Sequence, residues 1–147
     1  MKLKMLGLAG IAVAMYTIPA FAHHSFAMFD ADKKTTLEGT VKDFQWTNPH
    51  SWILMMVPDD KGTPQQWAIE MGAPGGLARQ GWLPKTLKPG DKVTAVIHPL
   101  KDGTHGGQFM AVTLPGGKMM GNPNNGNAGV GGGGGGGAAR GGVGVTP

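Results

Sequence analysis

Between Thr35 and Leu114 the apolar positions follow the two-residue period of β-strands. Thr, Val, Ile and Trp are concentrated in short runs with turn residues between them. The segment TTLEGTVKDFQW alternates through Leu37, Gly39 and Val41, then shifts phase to Phe44 and Trp46, which predicts a bulge near Lys42 and Asp43. Asn48-Pro49 makes a turn. A second strand, HSWILMMV from His50, is apolar on both faces, with SWILM expected at the centre of the core, and PDDKG ends it. QQWAIEM is the third strand. In APGGLARQGW, Leu77 to Gln80 can form little more than one helical turn before Gly81 stops it. KPGDKVTAVIHPL supplies a tight turn at Pro89-Gly90 and a fourth strand. KDGTHGG is a glycine-rich loop, and QFMAVTL a fifth strand closed by Pro115-Gly116.

Three strands, a short helical link and two further strands are the order of an OB-like Greek-key barrel. The expected fold is therefore all-β, a small five-stranded OB-like barrel with a helical turn between the third and fourth strands. A small sandwich or an SH3-like barrel is the alternative.

The ends of the chain read differently. Lys2 and Lys4 precede an apolar run from Met5 to Ile18, followed by Pro19 and the small-residue triplet Ala20-Phe21-Ala22. That is the pattern of a secretory signal peptide cleaved after Ala22. The run is short for a membrane span of about 20 residues, so nothing is expected to span a membrane once it is removed. From Met119 the composition turns to Asn, Gly and Ala, including an unbroken glycine run from Gly131 to Gly137. The expected organisation is a signal peptide over 1–22, an N-terminal arm over 23–34, a barrel over 35–118 and a disordered Gly/Asn-rich tail over 119–147. A periplasmic or secreted location follows.

Composition narrows the chemistry. Of the 147 residues, 13 are Lys or Arg and 9 are Asp or Glu. Loss of Lys2 and Lys4 with the signal peptide leaves 11 basic residues and a net charge of +2, too weak and too scattered for a nucleic-acid binder. Cysteine is absent, which removes disulfide staples, thiolate metal sites and cysteine nucleophiles together.

Five histidines remain, and cleavage after Ala22 would make His23 the mature N-terminus, followed by His24. A free α-amine has a pKa near 7.7 to 8 and chelates a metal together with the imidazole of its own residue. One further imidazole completes the T-shaped nitrogen set of a histidine brace, which suits the tetragonal preference of Cu(II). In an OB-like barrel the loop between strands one and two and the loop between strands four and five share a binding surface. His50 leaves the first of these, His98 ends the fourth strand and His105 sits in the second loop. The candidate metal ligands are thus His23, His24, His50, His98 and His105, with copper as the cofactor. Singly, His50 in TNPHS and His98 before Pro99 read first as structural turn residues, and it is the convergence of three loop histidines that points to a metal. Met28, Met55, Met56, Met71 and Met110 are possible soft ligands for Cu(I), but core filling is the simpler role for the strand methionines. Trp46, Trp52, Trp67 and Trp82 compete as a stacking platform for a sugar or base, with core packing as the default.

HHSF, LEGTV, FQWTNPHSW, GLARQGW, LKPGDKV and HPLKDG together resemble a family of small exported bacterial proteins known only as a domain of unknown function, DUF6152. The resemblance runs from about His23 to Gly117 and implies an exported small barrel. It transfers no catalytic residue. With no Ser-His-Asp pattern, paired carboxylates or phosphate loop, and with Glu38, Asp43 and Glu70 at ordinary strand positions, an enzyme is not expected. The expectation is a periplasmic binding module for copper. The alternative is a metal-free module for a small ligand or an envelope protein, with no nucleic acid as partner.

Overall fold

The computed structural model describes residues 26–125. The expected signal peptide, His23 and His24, and the chain from residue 126 onward lie outside the described residues.

Alternation of apolar and polar positions produces six strands and one short helix. They are β1 (Thr35–Gln45), β2 (Trp52–Pro58), β3 (Pro64–Glu70), α1 (Pro74–Arg79), β4 (Lys92–Pro99), β5 (Gly106–Thr113) and β6 (Met119–Gly121). Antiparallel pairing gives the sheet order β3-β2-β1-β4-β5-β6, and a parallel pairing of Ala68–Glu70 with Gly106–Gln108 joins β3 to β5. Five strands therefore close into a ring, β1-β2-β3-β5-β4, the all-β barrel that the strand order predicts.

Closure depends on β1 serving two partners. Thr35 to Thr40 pair with β4, Thr40 to Gln45 pair with β2, and Thr40 itself faces both Lys92 and Met56. Gly39 stands at this crossover, where a Cβ would lie 2.4 Å from the Met56 carbonyl oxygen, so only glycine permits the two strands to approach. The register with β2 shifts between Val41 and Asp43, the bulge that the phase change predicts.

Inward positions fill the barrel with Val41, Ile53, Met55, Ile69, Ile97, Phe109 and Val112, all essentially inaccessible. Pro74 opens α1, whose Leu77 is buried, and Gly81 at φ +87° releases the chain so that Trp82 enters the core edge-on to Phe109. Of SWILM, Ile53, Met55 and Ser51 point inward, whereas Trp52 and Leu54 are half-exposed on the outer face. A strand apolar on both faces does not by itself reveal which face is buried.

The expected tail does not begin at Met119. The Pro115-Gly116 corner turns the chain back, Leu114 donates to the Lys118 carbonyl, and Met119 and Met120 pair with Thr113 and Val112 as β6. Met120 is buried in the main core. Two apolar residues sufficed for this strand because a tight turn delivers them to an open edge of β5; their surroundings in sequence are Gly, Asn, Pro and one Lys.

Candidate functional site

The five-stranded ring places the β1–β2 loop (residues 46–51) and the β4–β5 loop (residues 100–105) on either side of β3. His50 comes from the first loop. Asn48-Pro49 is cis, and the Thr47 hydroxyl donates to the His50 carbonyl at 3.0 Å. The His50 Nδ1 meets the Glu70 carboxylate at the end of β3, an ion pair when the ring is protonated. The Glu70 side chain is 12% exposed and that of His50 33%, so the carboxylate is largely covered while the imidazole remains open to solvent. A carboxylate on Nδ1 fixes the orientation of the ring and leaves Nε2 as its second nitrogen donor.

The second loop carries His105, which stacks on the Trp67 indole with centroids 4.8 Å apart and planes 19° from parallel. Its carbonyl accepts from the Ala68 N–H, and its ring is exposed. The Asp59 carboxyl, at the β2–β3 turn, is held below the usual carboxylate range, chiefly by the Thr63 backbone N–H. The Lys61 N–H, the Gln65 amide and the charge of His105 act in the same direction.

His98 belongs to neither opening. It is 5% exposed, and its Nδ1 lies 2.7 Å from the Lys33 carbonyl. A carbonyl only accepts, so Nδ1 carries the proton. This bond ties the N-terminal arm to β4. Further along, Asp30 donates its N–H to the Pro99 carbonyl, Phe29 bridges to Leu100, and the Lys101 N–H donates to the Met28 carbonyl. The Lys33 ammonium, 3.0 Å from Asp30, holds that carboxyl below its ordinary range. The arm therefore reaches the barrel beside the loop that carries His105.

Register across β2, β3, β5 and β4 aligns Trp52, Glu70, Gln108 and His98 in one row. Gln108 is 6% exposed and its amide nitrogen has no hydrogen-bond partner among the described residues.

The loop histidines are thus distributed: His50 on Glu70, His105 on Trp67, and His98 on the arm. Among the described residues no three His, Asp or Glu side chains form a metal-binding group. Met55, Met71 and Met110 are buried, and Trp82 is a core residue. Glu70, read from the sequence as an ordinary strand position, is the partner of His50. Its place opposite Trp52, at the strand end facing the TNPH loop, is the signal that a strand register would have supplied.

Comparison with protein families matches residues 11–109 to a family of unknown function (DUF6152), more than half of the chain. The chain belongs to DUF6152. DUF6152 carries no assigned activity, so membership assigns no role to any residue of this barrel. Comparisons with curated proteins and with solved structures found no match. Among the described residues of this DUF6152 barrel, no helix is long and apolar enough to cross a membrane.

Proposed function

We propose that this protein is an exported β-barrel binding module that holds copper between its mature N-terminus and the β4–β5 loop. One observation carries the reading: the arm is fastened at Asp30 and Met28 to Pro99 and Lys101, where β4 runs into the loop bearing His105. Only His24 and Ser25 separate His23 from Phe26, and three residue steps span on the order of 10 Å. A segment of that length running toward the loop would let the His23 and His24 nitrogens meet His105.

The donor set fits the metal. The α-amine and imidazole of His23 would form a chelate, with His24 beside them, and the exposed imidazole of His105 supplies a third nitrogen. Such an all-nitrogen set suits Cu(II). His50 is the second candidate, since Glu70 leaves its Nε2 free. His98 is assigned to structure, because its proton and its burial are both spent on holding the arm. Bound copper would supply a redox-active or transferable cation at the barrel mouth.

Calorimetry with Cu(II) on the mature chain beginning at His23 tests the reading. One extra residue before His23 should weaken binding at least about tenfold, because it separates the amine from its imidazole while keeping every side chain. His105→Ala should weaken binding and His98→Ala should leave affinity unchanged. Affinity should fall as pH drops, since protons compete for the same nitrogens. Undiminished binding by the extended chain would overturn the N-terminal site, and no binding by the mature chain would favour the metal-free module.

A further inference from the structure

At the end of β4 and β5 remote from the histidine-bearing loop, a groove of about 520 Å³ opens on the outside of the barrel. Its polar lining comes from three strands: Glu38 and Thr40 on β1, Lys92 and Thr94 on β4, and Thr113 on β5. Glu38 pairs with Thr94, Thr40 with Lys92, and Thr94 with Thr113, so all five side chains leave the sheet on one face. Met56 and Leu114 add half-exposed apolar surface. The rim is Gly116 and Gly117, both at positive φ with open space where a Cβ would stand, which keeps it low.

Glu38 and Lys92 stand diagonally across adjacent strands, a spacing that long side chains of opposite charge can bridge. They do not pair. The ion pairs among the described residues are Lys33–Asp30 and His50–Glu70, and none of the five polar side chains in the groove has a hydrogen-bond partner among the described residues. The groove thus holds an unpaired anion, an unpaired cation, three unbonded hydroxyls and an apolar floor.

We propose that this groove binds a short apolar peptide with both termini free. Lys92 receives the carboxylate, Glu38 receives the ammonium, the threonine hydroxyls bond the peptide group, and Met56 and Leu114 take the apolar side chains. A simple anion would face Glu38 and a simple cation would face Lys92. A purely apolar molecule would leave both charges and the hydroxyls unanswered. The volume lies within the range of about 300 to 1,000 Å³ typical of small-ligand sites. This site is independent of the copper reading, since it shares no residue with it.

The test is an amide NMR titration of the full chain, prepared without metal, using the dipeptide Leu-Leu as probe and its N-acetylated, C-amidated form as comparison. Leu-Leu should move the resonances of Thr94, Thr113 and Gly116, and the capped form should bind at least about tenfold more weakly. Glu38→Gln and Lys92→Gln should each weaken Leu-Leu binding by a similar factor without lowering the melting temperature, as both side chains are exposed. Equal binding of the capped form, shifts confined to another face, or no response at millimolar Leu-Leu would each overturn the proposal.

Discussion

Ile53 and Leu54 are neighbours of nearly equal volume, yet Ile53 is fully buried and Leu54 stands half-exposed on the outer face. Ile53→Ala should therefore cost about 2 to 5 kcal/mol, as cavity-forming core substitutions do, and Leu54→Ala well under half of that. Urea denaturation of the two variants checks it, and equal costs would mean that the outer face of β2 is covered. The sequence of this strand could not distinguish the two, because a run apolar at every position satisfies both faces of a sheet. The same ambiguity governs the candidate site at this scale. His50, His98 and His105 are all legible as loop or strand-end residues, but their partners are not. Glu70, the Lys33 carbonyl and Trp67 lie 20, 65 and 38 positions away respectively, and only strand register brings them together.

Strands were the most readable elements. The first five, the β1 bulge and the short helix all follow from alternation and turn residues, since each is long enough or punctuated enough to carry its own signal. β6 and the docked arm escaped because each is held by a neighbour more than by itself. β6 is three residues long and depends on the Pro115-Gly116 corner; the arm depends on the backbone carbonyl of Pro99 and N–H of Lys101. A chain ending at Lys118 should melt several degrees below one ending at Asn125, because it loses the burial of Met120 and the ladder from Ala111 to Thr113. Equal melting temperatures would show that β6 adds nothing to the core it covers.

Three carboxyls, Asp59 and Asp102 exposed and Asp30 partly covered, fasten one end of the molecule. Asp30 bonds the Lys33 ammonium, Asp59 the Thr63 and Lys61 N–H groups, and Asp102 the Thr104 hydroxyl and N–H, and each is held below its ordinary range by those bonds. A carboxyl with a lower folded than unfolded pKa contributes stability that is present above the unfolded value and is lost as pH falls through the folded one. Thermal stability should thus decline below the ordinary carboxylate range, and Asp59→Asn should make that acid limb shallower in a melting series across pH. An unchanged slope would mean that the β2–β3 turn does not sense its own carboxylate. Ring closure by a three-residue parallel seam also sets the timing of folding. Glu70 cannot meet Gln108 until β5 has been made, and β1 has no partner for its first half until β4 exists. A nascent chain grown from its N-terminus consequently carries Ile53, Met55 and Ile69 on an open sheet until Phe109 and Val112 emerge to cover them. The barrel is a structure completed from its last wall strand, and until that strand arrives the chain is best handled unfolded.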